Sequence, residues 1–260
     1  MVLHLKTIEQ VQSEQIDEEI DIQFIWHKAN EADFEVAPKP KKMTSFFPAK
    51  MKGHELNMNP KEMPKEHIGF NHSVKKCMPF TDCMKLGFGV PLWHYLFIRN
   101  GEAYDATANS VEPTNDNMIY TLSSHSKQQV ENTTLDELKL PPIVKKLSSP
   151  WRIVTPKGWS CLITAPYHRD DIPVKIFSGV VDTDMYPIAP QFPFLVDPDF
   201  AGEVPMGTVI AQVIPFKRVN SKMKMNYKTE EDEKEINKVH ARLKSHPKNM
   251  YRDHYRSKER

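Results

Sequence analysis

The 260-residue sequence predicts a mainly β protein, a distorted barrel or sandwich, with an irregular proline-rich segment in its first half and a helical tail at its C-terminus. Three observations carry that expectation. From Trp151 onward, short β-branched and aromatic runs follow one another at regular spacing, with proline and glycine between them. Asn100-Gly101 separates two alternating runs and suits the φ > 0 pair of a two-residue hairpin turn. Past Arg218 the composition shifts to a charged stretch with helix-start chemistry at Thr229, acids in the first turn and bases in the last.

Taken in order, "IDIQFIW" places Ile20, Ile22, Phe24 and Trp26 on one face at period two, the pattern of a half-buried strand. The stretch Ala37 to His67 follows, with five prolines and many lysines. Proline fixes φ and removes a backbone donor, so an irregular, extended segment is expected over 32–70, anchored by its methionines and phenylalanines. "CMPFTDCMKLGFG" suits one short helix, capped by Thr81 and ended near Gly87 or Gly89. In "VPLWHYLFIRNGEAYDATA" both faces of the alternation are largely apolar. "NMIYTLSS" reads as a strand, and "TTLDELKLPPIVKKL" as a helical turn broken by Pro141-Pro142. "WRIVTPKGWSCLIT" then reads as strand, turn and strand, and "VKIFSGVV", "QFPFLV" and "TVIAQVIPFKR" as further strands. The expected organisation is 1–146 packing on a β core at 147–218, with a basic tail at 219–260.

Composition excludes several classes. Hydrophobic residues are 39% and charged residues 27%, with the apolar shortfall confined to particular segments, so a compact centre with polar arms is expected. A net charge of +1 gives no overall electrostatic case for nucleic acid or an acidic membrane surface. The three cysteines argue against a disulfide framework. Cys77 and Cys83 lack the spacing of a zinc knuckle or a redox pair, and Cys161 sits in an apolar run, so a reducing compartment fits. No apolar stretch reaches the ~20 residues needed to span a bilayer, and the N-terminus lacks a leader pattern, so a soluble, unexported protein is expected.

Three pieces between Ile153 and Phe216 carry a resemblance. These are "TPKGWSCLITAP" (Thr155 to Pro166), "SGVVDTDMY" (Ser178 to Tyr186) and "VPMGTVIAQVIPF" (Val204 to Phe216). Together this stretch resembles the trimeric dUTPase and dCTP-deaminase superfamily, whose shared architecture is a distorted β-barrel. The first piece looks like the strand-turn-strand leading to that family's phosphate loop, the second like its Gly-Val-Ile-Asp-x-Asp-Tyr signature, and the third like its closing Ile-Ala-Gln strand. Where the family has a Ser-Gly phosphate loop this chain reads "APYHRDDIPV", and no glycine follows Arg218 where the family has a glycine-rich lid. The whole chain also resembles a set of functionally uncharacterised proteins from large tailed phages and related bacteria. That resemblance implies the cytoplasm of an infected bacterial host, or the virion, as the location.

Carried over, the resemblance implies Asp182 as the base that orients or deprotonates an attacking water, with Asp184 placing it; Mg²⁺ is the charge partner if the protein is enzymatic. The alternative for the pair is a strand lip whose acids bind their own turn amides. In the loop "YHRDD", Arg169 suits bidentate contact to phosphate, and His168, Asp170, Tyr186 and Gln212 are the other ligand-binding candidates. The same loop also reads as a surface ion-pair cluster. His168-x-Asp170 opens a facial iron triad on paper, but the later histidines, His240, His246 and His254, all lie in the tail, so no metal site is assigned. Gln212 is an amide in an apolar strand; it needs partners and is expected to bind a backbone.

From Lys222 to Arg260, 12 Lys or Arg face 7 Asp or Glu. Tyr251 and Tyr255 could stack on bases, although such a segment is more often a solvated helix or an arm docking on a neighbouring subunit. The expected function is binding or assembly by an oligomer, a trimer by resemblance. The alternative is a nucleotide hydrolase or deaminase-like enzyme using Asp182.

Overall fold

The structure, a computed structural model, describes residues 19–27, 31–52, 74–105, 122–129, 143–245 and 256. The first part of "NMIYTLSS", the helical turn in "TTLDELKL", the second half of the proline-rich segment, and Tyr251 and Tyr255 lie outside these residues. Residues Asp21–Arg218 form one compact unit, and the chain from Val219 groups apart from it.

That unit is mainly β, as the sequence predicts. Its fourteen described strands are β1 (Gln23–Trp26), β2 (Lys41–Lys42), β3 (Phe88–Pro91), β4 (Leu96–Arg99), β5 (Glu102–Asp105), β6 (Leu122–Ser126), β7 (Ile143–Ser148), β8 (Trp151–Val154), β9 (Trp159–Thr164), β10 (Val174–Ile176), β11 (Gly179–Val181), β12 (Gln191–Val196), β13 (Gly202–Val204) and β14 (Val209–Lys217). They form four antiparallel sheets: β1-β8, β10-β12-β7-β6, β11-β9-β14-β3-β2 and β13-β4-β5. The expected barrel does not close among the described residues. Strands from both halves of the unit share sheets, and their inward residues merge into one core that includes Leu92, Leu96, Leu147, Phe192, Phe194 and Ile210.

Strand β14 lies at the centre of the five-stranded sheet, between β9 and β3. Residues Val209 to Val213 are buried without alternation, the signature of a strand covered on both faces. Gly207, with φ of 91°, turns the chain into it. Asn100 and Gly101 both have positive φ, 53° and 72°, and join β4 to β5 as a tight hairpin.

Two local expectations need correction, and one connection was not read from the sequence. β8 and β9 do not pair with each other across Pro156–Gly158: β8 joins β1, and β9 joins β14 and β11. The intervening turn therefore sends consecutive strands into different sheets. The apolar run around Trp93 is split as well. Leu92 still exchanges backbone bonds with Thr208 and Gly207, and the chain then leaves that sheet before β4 begins. Thr81 does not cap the short helix Met78–Cys83 but sits within it, its hydroxyl bonded back to the Cys77 and Met78 carbonyls. Pro79 lies in the first turn, where a missing N–H costs nothing, and this sets the start.

The segment beyond Val219 contains the helix Glu230–Ser245. Its start is a reciprocal cap, as the sequence suggested. Thr229 Oγ1 accepts from the Asp232 amide (3.1 Å), and the Asp232 carboxylate accepts from the Thr229 amide (2.7 Å).

Gly87 gives the fold a sharp test. Its φ is +70°, and a Cβ there would lie 2.2 Å from the Val213 carbonyl oxygen. Gly87→Ala is expected to destabilise the unit by at least ~2 kcal/mol, read from the shift of a urea unfolding midpoint. An unshifted midpoint would mean that β3 and β14 do not approach this closely.

Candidate functional site

After β11 the chain turns sharply: the Met185 and Tyr186 amides both donate to the Asp182 carbonyl, at 2.9 and 2.8 Å. This turn points the two acids differently. Asp182 is 56% exposed, and its Oδ1 accepts from the Ser160 hydroxyl at 2.6 Å and from Arg218 Nη1 at 3.3 Å. Asp184 turns inward and is 3% exposed. Its carboxylate accepts from the Gly158 amide at 2.8 Å and takes a bidentate pair of bonds from the Arg218 guanidinium. The same Nη1 reaches the Trp159 carbonyl at 2.9 Å and Ser160 Oγ at 2.8 Å. Between the acids, Thr183 is buried and bonds Thr155 Oγ1 at 2.7 Å.

This network sets the chemistry of the pair. The Arg218 guanidinium, followed by the Gly158 amide, holds the Asp184 carboxyl down at about 2, and Asp184 in turn raises Arg218. A carboxylate held that low takes no proton near neutrality. It is a counter-ion that ties the Pro156–Gly158 turn, the end of β14 and the acid loop together.

The loop Tyr167–Asp171 is similarly engaged by protein. Arg169 forks onto Asp171, with Nε–Oδ1 at 2.8 Å and Nη2–Oδ2 at 3.1 Å, and its Nη1 donates to the Phe46 carbonyl at 3.0 Å. Asp171 is lowered chiefly by this arginine. Asp170 is lowered by Lys175, 2.8 Å away. His168 has positive φ, 57°, and stacks on Phe80 with ring centroids 3.8 Å apart. Gln212 is fully buried: its Oε1 accepts from the Tyr167 amide at 3.0 Å, and its Nε2 donates to the Cys83 and Leu86 carbonyls at 2.8 and 2.7 Å.

A cleft of about 620 Å³ opens beside Asp182. It is lined by Val180, Val181, Asp182, Met185, Tyr186 and Pro187, from β11 and the loop after it, and by Pro190, Gln191, Pro193, Lys146 and His125. Of the site residues named from sequence, Asp182 and Tyr186 line this cleft, whereas His168, Arg169, Asp170, Asp184 and Gln212 do not. Lys146, His125, Ser160 and Arg218 were not singled out from sequence. Lys146 and His125 lie in polar strands with no motif around them, and only the pairing of β6 with β7 brings them to one face. Arg218 could have been suspected as the charge ending a long apolar strand.

No family model matches the chain, and no curated protein matches it. Among solved structures, a mutant dUTPase from phage phi11 of S. aureus is similar. The identity is 10% and the TM-score 0.30, over 55% of this chain and 84% of that one. The site is therefore read from its own residues. Among the described residues no group of three or more His, Cys, Asp or Glu is placed to hold a metal ion, and no helix is long and apolar enough to cross a membrane.

Two outcomes test this geometry. Because Asp184 sits below its unfolded value, its contribution is present above roughly pH 4. That contribution is lost as pH falls toward its folded value of about 2. Stability followed by circular dichroism should therefore fall more steeply in that window for the parent chain than for Asp184→Asn; parallel curves would remove the Arg218 clamp. Gln212→Leu strands one amide and two carbonyls and is expected to destabilise the fold by ~3 kcal/mol or more in urea unfolding. A loss below ~1 kcal/mol would show that water replaces the amide.

Proposed function

We propose that this is a phage-type protein of dUTPase-like fold that acts by binding and assembly rather than by nucleotide hydrolysis. One observation carries the reading: the acid that would place a water is instead a buried counter-ion, held by Arg218 and the Gly158 amide. Arg169, the candidate for phosphate, is engaged by Asp171 and the Phe46 carbonyl. The amide of Gln212 has both donors and its acceptor satisfied by backbone.

Self-association is supported by an aromatic face. Phe97 and Tyr104 oppose each other across β4 and β5, Tyr95 lies two residues earlier, and all three are exposed. Adjacent exposed aromatics mark interaction surfaces more often than solvated ones. The second reading, a hydrolase or deaminase-like enzyme with Asp182 as base, is favoured by Asp182's place in the cleft. In that reading Mg²⁺ would arrive with the nucleotide.

Incubation with each deoxynucleoside triphosphate and magnesium is expected to release no more pyrophosphate from the parent chain than from Asp182→Asn. Release that disappears in Asp182→Asn would replace the binding reading with the enzymatic one. In sedimentation equilibrium the parent chain is expected above monomer mass, and Phe97→Ser shifted toward monomer. A parent chain that is monomeric throughout would sink the self-assembly half of the proposal.

A further inference from the structure

We propose that the cleft beside Asp182 is a binding site for an organic anion, an acid group carried on an apolar body. The acid end is drawn from β6 and β7. Ser123 is the Cα partner of Lys146, and directly opposed residues of an antiparallel pair present their side chains on one face. His125, two residues along β6, shares that face.

Lys146 supplies the charge at this end and His125 a ring nitrogen. Lys146 is half-buried and makes no ion pair among the described residues. Ser123 is not part of the cleft's lining; its Oγ is shielded from solvent and has no hydrogen-bond partner among the described residues. Gln129 Oε1 accepts from the Ser126 amide at 2.9 Å, so the 3.1 Å contact to His125 Nδ1 places the imidazole proton on Nδ1. Nε2 is then the ring atom left for a ligand, an acceptor for a hydroxyl.

Asp182 Oδ1 accepts from Ser160 and shares Arg218 with Asp184, so the acid group is placed at the Lys146 end of the cleft, away from this carboxylate. The apolar end is the remainder of the lining. Val180 is 62% and Met185 75% exposed, and Tyr186, Pro187, Pro190 and Pro193 extend the same surface. A volume of about 620 Å³ lies within the range of small-molecule sites.

The inference rests on the binding reading above, and its test is separate from that one. The probe is anilinonaphthalenesulfonate, a flat apolar body with one sulfonate, titrated by fluorescence onto the full chain. Phenylnaphthylamine is the uncharged control. Saturable sulfonate binding is expected. Lys146→Met should weaken it by about tenfold or more, the loss of one charge-assisted contact, and leave the amine control within about twofold. Lys146→Arg, which keeps the charge, should retain most of the affinity. Equal losses for both probes would indicate a disturbed fold or a merely apolar groove. Undiminished sulfonate binding in Lys146→Met would place the probe elsewhere. Either result overturns the proposal. Pyrophosphate release together with Lys146-dependent binding would sink the non-catalytic reading and leave the anion site standing.

Discussion

The side-chain amide of Gln212 joins segments more than a hundred residues apart, and much of the unit's geometry follows from that junction. A primary amide offers one carbonyl oxygen and two N–H donors. All are used here, on the Tyr167 amide and on the Cys83 and Leu86 carbonyls. Cys83 closes the helix Met78–Cys83, so its carbonyl lacks a partner within the helix and receives only a long 3.5 Å bond from the Leu86 amide. Gln212 supplies that partner from the middle of β14. The next turn then sets Gly87 against the Val213 carbonyl, and the chain continues directly into β3 beside β14. A one-residue slip of β14 would turn Gln212 to the other face and break every one of these bonds, so the buried amide fixes register as well as position.

At the far end of the same strand, Arg218 fixes what Gln212 leaves open. Its backbone amide donates to the Gly158 carbonyl at 2.8 Å while its guanidinium holds Asp184. The strand is thus anchored at a buried amide and at a partly exposed ion pair. The second anchor makes the Asp-Thr-Asp loop a rigid wall. A wall already held in place loses little conformational freedom when something docks on it, which favours binding without rearrangement.

The elements governed by local chemistry were legible in the sequence: the Asn100-Gly101 hairpin, the alternation of β1, the doubly buried β14, and the Thr229 helix start. Each depends on residues within a few positions of one another. What was not legible is pairing. Nothing near Trp151 says that β8 will choose β1 over β9, because its partner lies more than a hundred residues away in the chain. The acids of the loop were visible, but not their different fates. Asp182 and Asp184 are two residues apart, and only the arrival of Arg218, more than thirty residues later, makes one a counter-ion and leaves the other at the cleft. Lys146 and His125 were invisible for the same reason: their meeting is a property of the β6–β7 register.

That register also explains why a cleft exists at this place. β10 pairs with β12 in one sheet, and two residues later β11 pairs with β9 in another. The crossover at Phe177 and Ser178 is pinned by the Phe177 amide on the Pro193 carbonyl and by Ser178 Oγ, 2.7 Å from Thr164 Oγ1. β11 and β12 must therefore diverge, and Pro190 and Pro193 offer no N–H with which to bridge the gap. The opening follows from chain path and proline alone. Its contents do not. A sheet switch requires neither an unpaired lysine facing a serine hydroxyl without a partner, nor a valine and a methionine left open to water in the same cleft. Those side chains carry a desolvation or exposure cost that the fold itself gives no reason to retain, and a ligand with an acid group and an apolar body would relieve both ends at once.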